Sequence, residues 1–319
     1  MKNNYNIVLF GAGYWGKNHL RELDNCDKVS QIFVVDPVVQ NNHELLSSYK
    51  EVSFYNEFDD LKSKKDIIDG AIIATPPNTH FKLGKLCLEN GFHTLIEKPM
   101  TESISELNIL NELALRNNKV LMSGHTYLYH PAIKAMKKII DSGEIGDIMF
   151  IHSQRLNFGI MRENTDVFSS LAPHDISLVQ FFLNDDFHIR MNSNKSNFTF
   201  SPYDDFSSTL LEYNDNVFAQ IDVSWYYPHK TRLLKVIGSK KTLVFDDTSK
   251  KIELFNLEID KNYKHKNDGK IEINFDKNIQ PLTSEISHFI SYFQSPSDCI
   301  TGYNHTKNVI KILEEYYKT

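Results

Sequence analysis

The feature that most constrains this chain is a glycine-rich turn between a short apolar run and a helical stretch. The apolar run "NIVLF" leads directly into "GAGYWG", in which Gly11, Gly13 and Gly16 have the spacing G-x-G-x-x-G. Between a strand and a helix, the first glycine permits a tight turn and the second lets a pyrophosphate approach the backbone. The third allows the helix to pack closely on the strand. The sequence therefore predicts that the N-terminus of the first helix faces a dinucleotide.

The first 125 residues alternate apolar runs with helical stretches. Runs such as "VSQIFVVD" at 29–36, "DGAIIAT" at 69–75 and "HTLIE" at 93–97 are separated by segments typical of helices. Such alternation predicts a parallel sheet with helices on both faces. We therefore predict an α/β chain whose N-terminal Rossmann domain covers residues 1–125.

From Gly146 onwards the pattern is different. Strand-like runs follow one another through short polar turns, with hairpin signals in "YNDN" at 213–216 and "GSKK" at 238–241. This pattern predicts a C-terminal α+β domain over residues 126–319, built on a large, mostly antiparallel open sheet. Its helices are expected at 131–142, 171–183, 283–294 and 304–317.

Charge and composition argue against a nucleic-acid partner. The formal net charge is -6, and no long run of Lys and Arg offsets it. The basic segments "KSKK" at 62–65 and "KNYKHKNDGK" at 261–270 are short, and we interpret both as solvated turns.

The cysteine count and the absence of long apolar segments favour a cytoplasmic protein. Cys26, Cys87 and Cys299 lie far apart without a CxxC pair, which is typical of a reduced chain with no structural zinc. The first residues contain no apolar core of a signal peptide, and no later stretch is long enough to span a bilayer. We therefore expect neither a metal site nor a membrane partner.

The second strand ends at a carboxylate that indicates the type of cofactor. Asp36 lies twenty positions after Gly16, where a carboxylate accepts hydrogen bonds from the ribose hydroxyls and repels a 2′-phosphate. Pro37 follows, and the next Arg or Lys is Lys50. The sequence therefore predicts NAD rather than NADP, although a turn aspartate at a strand end is the simpler alternative.

Further cofactor contacts are expected where the other parallel strands end. "ATPPNTH" at 74–80 follows the fourth strand, at the edge where open α/β sheets bind ligands. Asn78 also suits the N-cap of the next helix, and the letters alone do not separate the two roles. Besides the glycines and Asp36, the predicted cofactor residues are Tyr14, Trp15, Thr75, Pro76, Asn78, His80, Glu97 and Lys98.

A lysine stands between a carboxylate and a proline at the end of the fifth strand, in "EKPMT" at 97–101. Burying an unpaired Lys is costly, so Lys98 must either reach solvent or have a task beside the cofactor cleft. A surface lysine paired to Glu97 is the alternative to a functional one.

With "GAGYWG", "ATPPNTH" and "EKPMT" in this order and spacing, the chain resembles the Gfo/Idh/MocA oxidoreductases over essentially its whole length. The resemblance implies that Lys98 contacts both the nicotinamide ring and the reacting hydroxyl. It also implies a cis peptide bond between Lys98 and Pro99.

A second motif of the family corresponds to "SSLAPHDISL" at 169–178. Ser170 and His174 share a face of a predicted helix because they are four residues apart. The family commonly has Asp-x-x-x-His, so His174 matches the catalytic histidine and Ser170 stands in place of Asp. Asp175 is the nearby carboxylate that could replace the missing Asp. However, neighbouring residues on a helix point about 100° apart, so Asp175 and His174 do not share a face. A packed helix histidine is the alternative for His174.

The resemblance also places "GHTYLYHP" at 124–131 and "RLNFGIMREN" at 155–164 near the substrate. The polar and aromatic side chains there can bind sugar hydroxyls or a phosphate. Tyr129 as a core residue and Arg162 as a solvated loop charge remain the alternatives. The predicted substrate-binding residues are Tyr129, Arg155, Asn157, Arg162, Ser170 and His174.

These features predict an NAD-dependent dehydrogenase of a sugar ring hydroxyl. His174 would take the hydroxyl proton, and the Lys98 ammonium would stabilise the developing alkoxide. The motif around "APHDIS" is similar to a nucleotide-sugar branch, which implies oxidation of UDP-N-acetylglucosamine at C3. In that branch the 3-keto sugar feeds an aminotransferase in surface-polysaccharide or lipid A synthesis.

Three alternatives remain open. They are the related uronic acid UDP-N-acetylglucosaminuronate, a free polyol or inositol, and a non-catalytic NAD-binding sensor or scaffold. The resemblance further implies a homodimer or homotetramer formed through the open sheet, in which "DVSWYYPHKTRLLKVIGS" at 222–239 lies.

Overall fold

A computed structural model describes residues 4–38, 49, 52–159, 161, 165–184, 187–200, 202–259 and 262–318 of the chain. The chain divides into two compact units. The first consists of residues up to Thr126 together with Pro281–Ile310, and the second consists of Tyr127–Gln280 together with the residues from Lys311 onwards.

The first unit contains a six-stranded sheet with the order β3-β2-β1-β4-β5-β6. Every neighbouring pair is parallel, so all strands end at the same edge. This arrangement confirms the predicted Rossmann domain. The strands are β1 (Tyr5–Phe10), β2 (Val29–Val35), β3 (Val52–Tyr55), β4 (Gly70–Ile73), β5 (His93–Glu97) and β6 (Leu121–Gly124).

Helices cover this sheet because its strands are apolar on both faces, and the residues of β4 and β5 are all buried. Short 3₁₀ helices at Phe58–Ile67, Pro77–Thr79 and Thr126–Tyr129 follow β3, β4 and β6. The helices of this unit are α1 (Tyr14–Asp24), α2 (His80–Glu89), α3 (Ile104–Arg116), α6 (Pro281–Ser291) and the larger part of α7 (Tyr303–Tyr316).

The second unit contains an eight-stranded sheet with the order β14-β13-β12-β11-β7-β10-β9-β8. Only β7 and β10 are parallel neighbours, which confirms the mostly antiparallel sheet. The strands are β7 (Ile148–Phe158), β8 (Arg190–Ser196), β9 (Phe206–Glu212), β10 (Phe218–Ser224), β11 (Tyr226–Gly238), β12 (Thr242–Asp246), β13 (Lys251–Ile259) and β14 (His265–Ile273).

Two helices, α4 (Pro131–Asp141) and α5 (Val167–Phe182), belong to the second unit. Helix α5 packs on β7, β9 and β10, and we call the face of the sheet that it covers the inner face. The Asp166 carboxylate caps α5 by accepting a hydrogen bond from the Ser169 N–H at 2.9 Å, and Tyr317 also donates to it. The capped start fixes where the side chains of α5 lie on the sheet.

The basic segment 261–270 corrects one prediction. Instead of forming only a solvated turn, it enters β14, whose residues His265–Ile273 pair antiparallel with β13. Its charged side chains remain exposed on an edge strand, where charges discourage pairing with a further chain. The backbone hydrogen bonds to β13 therefore outweigh the low strand propensity of these residues. Oligomerisation through this sheet stays a prediction.

None of the helices in the described residues is long and apolar enough to cross a bilayer.

Buried ionisable groups lie at the ends of β5 and β6 in the first unit. Glu97, the last residue of β5, accepts a hydrogen bond from His19 Nε2 at 2.8 Å. Glu285 on α6 is fully buried and accepts one from the Thr126 hydroxyl at 2.8 Å. Burial raises the pKa of Glu285 well above its usual value, and the nearby Glu97 charge adds to this although the Thr126 hydrogen bond opposes it. Glu285 is therefore held in its neutral form beside Glu97.

We expect Glu285→Gln to become increasingly stable relative to the wild type as pH rises above 4.5, the ordinary pKa of this carboxyl. Because the folded-state pKa is raised, the wild-type contribution is fully present below that value and is lost as pH rises through the folded pKa. The loss amounts to about 1.4 kcal/mol per pH unit at most. Urea unfolding between pH 4.5 and 8 measures it. The exposed Glu112→Gln is the control, and a pH-independent difference for Glu285→Gln would contradict the assignment.

Candidate active site

The glycine turn after β1 has the geometry that a dinucleotide requires. Gly11 has φ +91°, and a Cβ there would lie 2.7 Å from the Ala74 carbonyl oxygen. A Cβ at Gly16 would lie 2.0 Å from the Gly11 oxygen, so only glycine permits this close packing. A Cβ at Gly13 would meet nothing within 4 Å, which leaves open space beside the backbone. The three glycines therefore have the separate roles that the motif predicts.

The start of α1 fits a bound anion. Among the described residues, no side chain caps its N-terminus, and its first turn contains no acidic residue. Unsatisfied N–H groups and the helix dipole favour negative charge at this end. The pyrophosphate of NAD suits this position.

Asp36 is built into the same turn. Its Oδ2 accepts a hydrogen bond from the Ala12 N–H at 2.7 Å, and its Oδ1 accepts one from the Val38 N–H at 2.9 Å. Each carboxylate oxygen has a second lone pair, so the group retains the capacity to accept ribose hydroxyls. The two backbone contacts fix its orientation beside the glycine turn.

The loop after β4 is tied to the segment after β5. The ring of His80 lies with Nε2 2.8 Å from the Thr75 carbonyl oxygen and Nδ1 2.8 Å from that of Pro99. The hydroxyls of Thr75 and Thr79 are 2.6 Å apart. His80 is buried, whereas Pro76 and Asn78 are exposed. The structure thus joins two loops of the carboxyl edge through the imidazole.

Two aromatic residues of the glycine turn lie at the surface of the first unit. Tyr14 is 84% exposed and Trp15 41% exposed, and their rings meet edge to face. Their predicted contact with the cofactor stays a prediction.

Lys98 directly follows β5, and its peptide bond to Pro99 is cis, as the resemblance implies. The Oε2 of Glu97 accepts a hydrogen bond from the Lys98 N–H at 3.2 Å, while His19 holds Oε1. His125, after β6, is buried, and its pKa lies well below the ordinary value through burial and the charges of His305 and Lys98. Burial and neighbouring charge therefore keep this imidazole neutral.

In the second unit, α5 presents Ser170 and His174, both half-buried. The ring of His174 lies 5.3 Å from that of Tyr127, tilted by 55°. Tyr127 follows β6 in a short 3₁₀ helix. The histidine therefore has an aromatic neighbour with a hydroxyl group, which the sequence did not indicate.

Arg155 on β7 forms a buried ion pair with Asp175 of α5. Its Nε lies 2.8 Å from Asp175 Oδ2 and its Nη2 3.2 Å from Oδ1, and the Ser153 hydroxyl donates to the same carboxylate at 2.6 Å. Burial alone would lower the pKa of Arg155, but Asp175 and Tyr127 outweigh it and the pKa is raised. The guanidinium also lies 4.5 Å over the Tyr127 ring and donates to its hydroxyl at 3.0 Å. Asp175 thus orients Arg155 and Tyr127.

The other predicted substrate residues differ in their surroundings. Asn157 follows Arg155 on β7 by two residues, so both point to the same face. Tyr129 is only 1% exposed, with the Lys134 amine 5.7 Å from its ring centroid. Arg162 lies outside the described residues.

A solvent-open recess on the inner face contains residues that the sequence patterns did not indicate. Arg232 on β11 donates through Nη1 to the Tyr127 hydroxyl at 2.7 Å, and Tyr127 donates to Asp247 at 3.1 Å. Alternation along β11 is a sequence signal for Arg232, since it shares a face with the buried Leu234 and Val236. The side chains central to this inner-face recess are Tyr127, Arg155, Asp175, Arg232, Phe245 and Asp247.

Comparisons with known proteins place the chain in a family. The model of the oxidoreductase family with an NAD-binding Rossmann fold matches residues 5–125, and that of the GFO/IDH/MocA C-terminal domain matches residues 133–244. Together the two models cover more than half of the chain.

Among curated proteins, inositol 2-dehydrogenase from Salmonella paratyphi B is 28% identical over 185 residues, covering 56% of this chain and 54% of that protein. UDP-N-acetylglucosamine 3-dehydrogenase from Acidithiobacillus ferrooxidans is 26% identical over 171 residues, covering 53% and 51%. The chain thus matches about half the length of these curated relatives.

Solved structures share the fold. That of the Acidithiobacillus ferrooxidans UDP-N-acetylglucosamine 3-dehydrogenase has a TM-score of 0.83 at 18% identity, covering 98% of this chain and 96% of its own. GenD2 from gentamicin A biosynthesis, in complex with NAD, has a TM-score of 0.81 at 18% identity, with 99% and 94% covered. On the evidence of the two family models and of the glycine turn, this chain belongs to the Gfo/Idh/MocA family of NAD-binding oxidoreductases.

Proposed function

We propose that the chain is an NAD-dependent dehydrogenase that oxidises a ring hydroxyl of a sugar, with Lys98 and His174 as its catalytic residues. The observation that carries the proposal is the position of Lys98. It follows β5 at the carboxyl edge of the NAD-binding sheet, beside a glutamate whose two oxygens accept hydrogen bonds from His19 and from the backbone. NAD, when bound, supplies the hydride acceptor.

Lys98 stabilises negative charge on the substrate oxygen. An ammonium near a developing alkoxide lowers the energy of the transition state more than that of the neutral alcohol. The Glu97 carboxylate is fixed by His19, so the backbone that carries Lys98 starts from a rigid point. The role of Glu97 is therefore to orient Lys98.

His174 takes the proton of the substrate hydroxyl. Imidazole is suited to this task because its ordinary pKa is near neutrality. Helix α5 holds the ring beside Tyr127. Ser170, one turn earlier, donates a hydrogen bond to the substrate but carries no charge.

The favoured substrate is a UDP-linked N-acetyl amino sugar oxidised at C3. The match to UDP-N-acetylglucosamine 3-dehydrogenase supports it. The match to inositol 2-dehydrogenase supports a free polyol as the second candidate. Both reactions use the same oxidation of a secondary alcohol.

Substitution of either proposed catalytic residue tests the reaction. Lys98→Ala and His174→Asn should each lower kcat by about 10²- to 10⁴-fold, because positioned acid–base and electrostatic groups contribute that much. NADH formation with UDP-N-acetylglucosamine, its uronate and myo-inositol is measured by the absorbance of the reduced nicotinamide. The exposed Lys85→Ala and His229→Asn are the matched controls.

Unchanged turnover in Lys98→Ala or His174→Asn would contradict the catalytic assignment. Binding of NADH without turnover of any of the three substrates would instead favour the NAD-binding sensor or scaffold.

Asp36→Ser tests the preference for NAD. The variant should bind NADH about 10-fold or more weakly, since hydrogen bonds to a charged group are lost, and bind NADPH more tightly because repulsion of the 2′-phosphate is removed. Fluorescence titration with both nucleotides gives the ratio of affinities. Asp27→Ser, an exposed aspartate just before β2, is the control. An unchanged ratio in Asp36→Ser would show that another group selects the cofactor.

A further inference from the structure

The inner-face recess contains two arginines that differ in how fully an ion pair engages them. Arg155 is matched by Asp175, and the two side chains are almost fully buried. Arg232 lies in the same recess with 39% of its side chain exposed, and its acidic neighbour is Asp247. Lys250 follows Asp247 in the turn between β12 and β13 and is exposed. Arg232 is therefore the cation of the recess that remains accessible to solvent.

The guanidinium of Arg232 is engaged through one nitrogen, Nη1. Its Nη1 lies 2.7 Å from the Tyr127 hydroxyl and 3.5 Å from Asp247 Oδ2, the second contact being at the limit of a hydrogen bond. Within the described part of the chain, the hydrogen bonds of its guanidinium are confined to this nitrogen. A planar guanidinium has five N–H donors, so the remaining donors are available for a bidentate anion. The side chain is oriented before a ligand arrives.

Lys250 acts on the same region. Burial lowers the pKa of His130, the Asp247 charge opposes this, and the Lys250 charge lowers the pKa further. Lys250 is therefore within electrostatic reach of His130, which lies 3.9 Å from Asp247. A cation within electrostatic reach of His130 adds long-range attraction for an anion bound at Arg232.

Tyr127, whose hydroxyl Arg232 contacts, belongs to a group of neighbouring aromatic rings. The ring of His130 lies 6.5 Å from that of Tyr127, 5.4 Å from Phe245 and 5.9 Å from Phe275. Aromatic faces bind nucleobases by stacking without selecting a particular base strongly. Cations beside aromatic planes match the two parts of a nucleoside diphosphate.

We propose that the inner-face recess binds the diphosphate of a nucleotide-linked substrate through Arg232, with the exposed Lys250 adding electrostatic attraction and the rings of Tyr127, His130 and Phe275 beside the base. The proposal rests on the proposed dehydrogenase function and deepens it, since a free polyol needs no exposed cation. Arg155 is not the anion-binding residue, because Asp175 engages two of its nitrogens.

Titration calorimetry with the full chain, saturated with NADH to occupy the dinucleotide site, tests the proposal. UDP should bind the wild type, and Arg232→Gln should weaken UDP by about 10-fold or more because charge-assisted hydrogen bonds are lost. Titrations with inorganic pyrophosphate and with phosphate test whether the site recognises a diphosphate or a single phosphate. Pyrophosphate should bind more tightly than phosphate. The control is Arg190→Gln on β8, an exposed arginine paired to Glu212, which should leave UDP affinity unchanged.

Lys250→Gln keeps the test decisive if Arg232→Gln does not fold, because Lys250 is an exposed turn residue. It should weaken UDP by a smaller factor, and added salt should weaken UDP in the wild type. UDP affinity that is equal in the wild type, Arg232→Gln and Lys250→Gln would overturn the proposal, as would the absence of UDP binding to the wild type.

The two proposals fail separately. Turnover of myo-inositol without UDP binding would overturn the diphosphate site and leave the dehydrogenase function intact. UDP binding that depends on Arg232, together with turnover that does not depend on Lys98 or His174, would overturn the catalytic assignment alone.

Discussion

The second unit depends on the buried ion pair between Arg155 and Asp175. Removing one partner from such a pair leaves an uncompensated charge and costs about 3–5 kcal/mol, because neither ion can return to water. The pair therefore fixes how α5 is rotated on β7. Since successive residues on a helix are about 100° apart, the direction of Asp175 also sets the direction of His174, whose ring lies beside Tyr127. The position of the proposed base thus follows from a contact that takes no part in the chemistry.

The first unit contains a comparable constraint at the end of β5. The Glu97 carboxylate is buried and engaged by His19 and by the Lys98 N–H, so the segment that carries the lysine is anchored on the sheet. A second ionised carboxylate here would be repelled, and the neutral Glu285 avoids that cost. In both units a buried and satisfied charge orients a neighbour proposed to act on the substrate.

Much of this organisation could be predicted from the sequence, because it depends on local patterns. The glycine spacing requires the turn found at Gly11, and the alternation of apolar runs fixes the parallel sheet. The sequence does not predict in the same way which arginine of the recess remains available for a ligand. Arg155 and Arg232 lie directly opposite each other on neighbouring strands, and only tertiary pairing decides which is neutralised. The burial of Glu285 is not predictable for a related reason. The apolar pattern of a helix does not indicate that a carboxyl group will be buried without a cationic partner.

The same pairing limits what each arginine can do for a ligand. The Arg155 side chain is only 8% exposed, and its contacts with Asp175 and Tyr127 engage all three of its nitrogens, so an anion has little access to it. Arg232 is half-exposed and held by one nitrogen, so an incoming anion displaces water and leaves its contact with Tyr127 intact. In the proposed site, recognition of the anion therefore falls to Arg232, the more exposed of the two arginines. Its hold on Tyr127 also links that choice to the ring beside His174.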